Sequence, residues 1–104
     1  MDTPSQELLA YYAAGKPLVC EFDANPYLCE FWPQEKLSTY NVEYEVPLYA
    51  PGYFGFATSG GGEMFALSPL GAVVCLPFIG MKPTDALLVA PFWAAFEPML
   101  RNAL

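Results

Sequence analysis

The first part of the chain combines apolar and polar positions in a pattern that predicts a short helix and then a strand. A helix can start at Pro4 with Thr3 as its capping residue, and Gly15 would end it. Its apolar side consists of Leu8, Leu9, Tyr11 and Tyr12. Residues 18–22 favour a strand, and residues 23–26, which contain Asn-Pro, predict a turn.

The next segment predicts a second apolar run, a short helix and a strand of mixed character. Apolar residues dominate 27–32, and Pro33 suits the first turn of a helix that ends at Asn41. In 42–49, acidic and apolar residues alternate, which is typical of a half-exposed strand whose length Pro47 limits. An extended or helical connector fits the same residues equally well.

The middle of the chain predicts an antiparallel meander. Its strands are expected at 53–57, 63–67 and 72–78, connected by the glycine-rich loop 58–62 and the turn 68–71. The third of these strands is apolar on both faces. We therefore expect it at the centre of the sheet, with a helix over at least one side.

A charge-free stretch, 64–81, is long enough to raise the question of a membrane-spanning helix. It is interrupted by Pro69, Gly71, Pro77 and Gly80. Because proline and glycine at such short intervals break a helix, the stretch is predicted to form buried strands instead.

The last residues, 91–104, predict a helix that covers the sheet. Phe92, Phe96 and Met99 or Leu100 are spaced so that they form one apolar stripe. Pro98 has no N–H to donate to the preceding turn, so we expect the helix to kink or restart there.

Together these elements predict an α+β fold. Residues 1–104 should form a single domain, with a mostly antiparallel sheet built on the central meander and short N-terminal and C-terminal helices packed on it. A chain of 104 residues has too little apolar surface for a second core. Its 55% hydrophobic content still exceeds what so small a domain can bury, so apolar surface should remain for a partner or for self-association.

The charge balance predicts the kind of partner. Eleven Asp and Glu residues against four Lys and Arg residues give a net charge of −7. Four scattered cations are too few to displace the counterions of a nucleic acid, and an anionic membrane would repel the chain. A basic protein would be attracted, and its association would be accelerated. Acidic residues that only keep an apolar-rich domain in solution explain the charge equally well.

The side chains that most catalytic sites need are missing, which predicts that the protein is not an enzyme. The chain has no histidine, so Ser-His and Cys-His arrangements and histidine-ligated metal sites are excluded. Cys20, Cys29 and Cys75 are odd in number and have no C-x-x-C spacing, which predicts buried free thiols. We expect Glu21 and Glu30 to disfavour a thiolate at the first two of these cysteines.

Two other motifs fit structural roles better than chemical ones. Glu43 and Glu45 would share one face of a strand, where paired carboxylates can serve a glycosidase or a hard metal ion, but solvation explains them more simply. The glycines at 60–62 lack the lysine of a phosphate-binding loop, and Glu63 would repel phosphate. We therefore expect no cofactor and no metal. With free thiols and no secretory signal at residues 1–4, a cytoplasmic location is expected.

A series of short motifs runs through residues 28–100 in a defined order. They are Phe31-Trp32-Pro33, Leu37, Asn41, Tyr44-Glu45-Val46, Tyr49-Ala50-Pro51-Gly52-Tyr53, Gly60-Gly61-Gly62-Glu63, Pro77-Phe78-Ile79-Gly80-Met81 and Ala90-Pro91-Phe92. In this order and spacing they resemble the SUKH superfamily, which includes the Smi/Knr regulators of fungal cell-wall assembly and many bacterial immunity proteins. The chain departs from that pattern before the triple glycine, where Ala57-Thr58-Ser59 replaces the usual small-Gly-Ser-Asp sequence.

The resemblance implies an α+β domain that acts by binding protein, in bacteria often by neutralising a co-encoded toxin that is frequently a nuclease. An acidic face would suit the basic cleft of a nuclease. Tyrosines favour interfaces, and charge sets the rate and orientation of association. The candidate partner-binding residues are Glu21, Asp23, Glu30, Glu43, Glu45, Tyr49 and Tyr53. The alternative is a housekeeping interaction or scaffold domain that acts as a homodimer through its leftover apolar surface.

Overall fold

One antiparallel sheet organises the chain. A computed structural model describes residues 5–23 and 28–103, and its strands are β1 Val19–Glu21, β2 Leu28–Phe31, β3 Phe54–Thr58, β4 Glu63–Leu67, β5 Val73–Pro77, β6 Leu87–Ala90 and β7 Arg101–Asn102. The helices are α1 Gln6–Ala13, α2 Leu37–Glu43, α3 Val46–Tyr49 and α4 Trp93–Phe96, with 3-10 turns at Gln34–Lys36, Pro83–Asp85 and Glu97–Met99. The seven strands lie in the order β6-β5-β4-β3-β2-β1-β7, and all neighbours are antiparallel.

The α+β class and the central meander are confirmed. Strands β3, β4 and β5 pair in succession, and the charge-free stretch 64–81 contains most of β4 and all of β5, as predicted. Strand β5 lies inside the sheet but not at its centre, which β3 occupies, and the 3-10 turn Pro83–Asp85 contacts it. In the described part of the chain, no helix has the length and apolar character needed to cross a membrane.

Helix α1 forms where the N-terminal pattern predicts it, but its cap is a different residue. The Ser5 side chain accepts a hydrogen bond from the Leu8 amide at 3.1 Å, so Ser5 and not Thr3 caps the helix. A serine oxygen can satisfy one of the amides that have no partner at a helix start. Thr3 and Pro4 lie outside the described residues, as does most of the predicted turn at 23–26. The helix ends before Gly15, which has a φ of +67°.

The strand predicted at 42–49 is wrong, and the helical alternative is correct. The predicted helix before it extends to Glu43, and a second helical turn, α3, follows directly. Pro47 fits this turn because the first helical residues need no N–H donor. Glu45 connects the two helices with φ 59° and ψ 37°, a left-handed conformation that redirects the chain between them.

The long C-terminal helix is also wrong. Only Trp93–Phe96 is α-helical, and the chain then passes through a 3-10 turn into β7. The break at Pro98 is confirmed. The predicted stripe fails because Phe92 and Met99 are exposed, whereas Trp93 and Phe96 are buried.

Residues 91–100 connect β6 and β7, which lie at opposite edges of the sheet. A flat seven-stranded sheet would separate its outer strands by about 29 Å, at about 4.8 Å per neighbour. Residues 91–100, with their helical turns, span only about 24 Å. The sheet is curled, and this segment crosses its inner face.

Aromatic rings fill the space between the curled sheet and this crossing segment. The Phe56 ring lies 5.6 Å from the Trp93 ring and 5.9 Å from the Phe96 ring, centroid to centroid. Tyr11 of α1 stacks on Phe31 at 4.6 Å with an interplanar angle of 9°. Helices α1 and α4 therefore pack their buried sides on the same face of the sheet. A large apolar area is removed from water there, which stabilises the fold.

A charged contact holds the crossing segment to the end of α1. The Glu97 carboxylate accepts hydrogen bonds from the Lys16 ammonium and, at 2.9 Å, from the Trp93 indole N–H. The Lys16 hydrogen bond lowers the pKa of Glu97; burial opposes this effect, and the Trp93 hydrogen bond adds to it. A lowered carboxyl pKa stabilises the fold above the ordinary pKa, and the stabilisation is lost as the pH falls through the lowered value.

The variant Glu97→Gln is therefore expected to be less stable at neutral pH by up to about 1 kcal/mol, the range of partly exposed ion pairs. The deficit should vanish at acidic pH, below the lowered pKa of Glu97, where the carboxyl of the original protein also loses its charge. Urea unfolding at the two pH values measures it. Asp85→Asn, a charge removal at an exposed position, is the control. An equal deficit at both pH values would contradict the ionic origin.

Candidate protein-binding surface

The structure separates the predicted partner-binding acids into different regions. Asp23 and Glu21 lie near Arg101 of β7, with oxygen-to-nitrogen distances of 2.8 Å and 3.9 Å respectively. Their negative charge is therefore partly offset within the chain. Glu43 and Glu45 lie instead at the junction of α2 and α3, which pack on β3. Strand β1 is two positions from β3 in the sheet, so the two acidic regions are separate.

Glu30 lies in a third place, an open groove of about 600 Å³ between the end of α1 and the start of the 3-10 turn at 34–36. Lys16 and Glu35 also line this groove. It therefore contains charges of both signs and is not a continuation of a purely acidic face.

The two predicted tyrosines differ in exposure. Tyr49 is 51% exposed on α3. Tyr53 is half-buried against the core just before β3, and its N–H donates to the Ala50 carbonyl at 3.0 Å. Tyr49 is therefore accessible to a partner, whereas Tyr53 is less so, because the turn after α3 folds it back onto the sheet.

Residues 42–49 form the surface that best fits a protein partner, and we call them the 42–49 surface. Their exposed members combine apolar and acidic side chains: Val42, Glu43, Tyr44, Glu45, Leu48 and Tyr49. Val46 is fully buried beneath them and fixes α3 to the core. Val42 is 69% exposed and Leu48 65%, values that are unfavourable for large aliphatic groups unless something else covers them.

Tyr44 is the most precisely held side chain of the 42–49 surface. Its ring lies 4.6 Å from Phe78 and 5.8 Å from Trp32, with Tyr40 at 6.2 Å, all measured between centroids. Trp32 is buried, yet Tyr44 remains 42% exposed. The outward part of its ring is thus pre-positioned, so that little side-chain entropy would be lost on binding. Ile79, the residue after Phe78, is 93% exposed and extends the apolar region.

Glu45 occupies a backbone conformation that glycine would adopt at lower cost. It is the one non-glycine residue with positive φ in the ranges 5–23 and 28–103. A left-handed conformation costs a residue with a side chain about 1–2 kcal/mol. The acidic residue at this position therefore lowers stability relative to glycine, and backbone strain of this kind is common at functional sites.

A buried amide positions the whole region. The Asn41 side chain donates to the carbonyls of Leu37 and Gly55, each at 2.8 Å, and accepts from the Gly55 N–H at 2.7 Å. The pairing of β2 with β3 runs through Thr58 and Ala57 to the carbonyl of Phe56 and ends before Gly55, so the Asn41 amide takes the place of a strand neighbour for Gly55. This contact fixes α2, and with it the start of the 42–49 surface, on the sheet.

The cysteines are free and buried, as predicted. Burial raises the pKa of Cys20, raises that of Cys29 well above its ordinary value, and raises that of Cys75 to about 12. Glu21 and Glu30 contribute to none of these shifts, because neighbours along a strand point to opposite faces. Thiols with a raised pKa are poor nucleophiles at neutral pH.

Sequence reasoning missed Tyr44, Val42 and Leu48 because it placed them on a strand. The spacing of Leu37 and Asn41, one helical turn apart, indicates a helix, and a helix continued from these residues places Val42 away from their buried side.

Within residues 5–23 and 28–103, no group of three or more His, Cys, Asp or Glu side chains is placed to hold a metal ion. The sequence matches no protein-family model and no curated protein at a significant level.

Proposed function

We propose that this protein binds and neutralises a basic protein toxin, of the nuclease type, and that the 42–49 surface is its contact. The observation that carries the proposal is the combination, on one short segment, of a pre-positioned half-exposed tyrosine with two acidic residues. Aromatic residues held at the centre of a contact contribute most of the binding free energy, and charges around them guide association.

Charge supports a basic partner. The chain has a net charge of −7, and the 42–49 surface contains Glu43 and Glu45 but no Lys or Arg. A cleft that binds nucleic acid is lined with cations, so its potential is complementary to this surface. A protein that covers such a cleft blocks the substrate without any chemistry of its own.

Packing supports the location. The contacts of Tyr44 with Trp32 and Phe78, and the amide of Asn41, hold the segment rigidly on the sheet. A rigid surface loses little conformational freedom on association, which favours tight binding by a small area. The left-handed backbone at Glu45 indicates that an acidic side chain is retained there against the backbone preference.

The test measures association with the product of the neighbouring gene, at low and at near-physiological salt. We expect nanomolar affinity, with an association rate that falls steeply as salt rises. The double variant Glu43→Gln/Glu45→Gln should associate about five- to tenfold more slowly at low salt and show a weaker salt dependence.

The matched control is Glu7→Gln/Asp85→Asn, which removes the same charge at exposed positions outside the 42–49 surface. It should retain most of the association rate. Association that does not respond to salt, or that slows equally in both double variants, would reject this surface as the contact. Absence of any binding to the neighbouring gene product would reject the proposed function itself.

A further inference from the structure

Strand β6 forms an edge of the sheet that nothing in the described part of the chain covers. It pairs with β5 through Leu87, Leu88 and Ala90, and no strand lies on its other side. The outward N–H and C=O groups of such a strand are ready to pair with another strand.

Two of the four side chains of β6 are exposed as well. Leu87 is 62% exposed and Leu88 67%. Leu87 lies opposite Cys75 and Leu88 opposite Val74, so the two leucines project from opposite faces of the sheet. Phe92, just after the strand, is 56% exposed. Bare apolar area therefore occurs on both sides of the same edge.

The other edge of the sheet shows the protection that β6 lacks. Strand β7 is only two residues long, Arg101 and Asn102, and both are polar and exposed. Short edges and charged side chains are the usual means by which proteins prevent strands from pairing between molecules. Strand β6 has four apolar residues, so it has neither the very short length nor the charged side chain that protects β7.

Charge selects the partner for this edge. The chain has a net charge of −7, but residues 86–96 contain no charged side chain. A basic protein would gain no electrostatic attraction at a neutral strand. Two copies of an acidic chain, in contrast, repel each other least where their surfaces are uncharged.

We infer that a second copy of this chain pairs with β6, strand against strand and antiparallel about a twofold axis, so that the sheet continues from one protomer into the other. A twofold contact uses the same residues on both sides, so Leu87 and Leu88 of each copy would be covered by those of its partner. The edge does not include any residue of the 42–49 surface. The paired area is small, and the expected dissociation constant is in the micromolar range.

The experiment is sedimentation velocity on the purified chain over a wide concentration range, without any other protein. We expect the mass to rise from that of the 11.4 kDa monomer to that of the dimer as the concentration increases. Leu88→Lys places two like charges at the paired edge and should weaken the dimer at least tenfold. Leu70→Lys makes the same chemical change at a turn leucine that is 97% exposed, and it should dimerise like the original protein.

Hydrogen exchange of the β6 amides provides the second readout. Their exchange should slow as the concentration rises, while that of the β7 amides should not change. A chain that stays monomeric at millimolar concentration, or a dimer that survives Leu88→Lys, would overturn the inference. The variant Glu43→Gln/Glu45→Gln should dimerise normally, so failure of the toxin proposal and failure of the dimer are distinguishable.

Discussion

Replacing Asn41 by alanine is expected to lower the free energy of unfolding by about 3–4 kcal/mol, the largest effect of any single polar substitution that we predict here. The substitution leaves the N–H and the C=O of Gly55 without the amide that bonds them. Both groups are buried, and a buried polar group without a partner costs about 1–3 kcal/mol. A domain of this size has only about 5–15 kcal/mol of stability, so the loss is a large fraction of it.

Urea unfolding followed by circular dichroism measures the change. Ser38→Ala, on the exposed side of the same helix, is the matched control and should change stability by less than about 0.5 kcal/mol. If the Asn41 variant is too unstable for a complete unfolding transition, hydrogen exchange provides a second measurement. The Gly55 amide should then exchange faster than the neighbouring amides of β4. Equal stability of the Asn41 and Ser38 variants would show that the amide does not hold α2 on the sheet.

Replacing Tyr44 by alanine is expected to weaken binding of the toxin domain about 30-fold, which corresponds to about 2 kcal/mol. The loss should appear mainly as faster dissociation, because a central aromatic group contributes to the bound state and little to the encounter. Removing the two acidic residues of the same surface should instead lower the association rate. Binding kinetics therefore separate the two contributions.

The stacking of Tyr44 on Trp32 and Phe78 requires a control for folding. Tyr44→Phe keeps the ring and its aromatic contacts and should retain most of the affinity unless the hydroxyl is itself bonded by the partner. The alanine variant should lose no more than about 1.5 kcal/mol of stability and remain folded. A folded alanine variant that binds as tightly as the original would exclude Tyr44 from the contact.

Two surfaces with different chemistry thus occur on one small domain. The 42–49 surface is acidic and aromatic and lies over β3, whereas the β6 edge is neutral and aliphatic. Self-association at β6 would place two 42–49 surfaces on one particle. A multivalent partner would then bind more tightly than each contact alone allows.

Some of this architecture could be predicted from local signals. The strands of the meander follow one another in the chain, and the glycine-rich loop and the turn at 68–71 set their pairing. Neighbouring strands joined by short turns usually pair, so apolar pattern and turn residues were enough. The break at Pro98 likewise depends on the chemistry of a single residue and its immediate neighbours.

The 42–49 segment shows why the same reasoning fails elsewhere. Alternating acids and apolar residues favour a strand, but the segment is helical because Asn41 and Val46 are buried on the sheet and Glu45 adopts a left-handed backbone. Local periodicity contains no information on which side chains a distant strand will cover. Only the tertiary contacts therefore define the candidate surface, although the chemistry of Glu43, Glu45 and Tyr49 already makes these three residues candidates for partner binding.

By itself, the amino-acid sequence determined the α+β class, the central meander, the burial of the cysteines and the acidic character of the domain, since each depends on composition or on neighbours in the chain. Only the tertiary structure decided that the last residues cross the curled sheet from β6 to β7, which leaves β6 bare, and that the Asn41 amide replaces a strand beside Gly55. These features depend on contacts between residues far apart in the chain. Their free energy comes from packing and from satisfied buried hydrogen bonds, which no local pattern encodes.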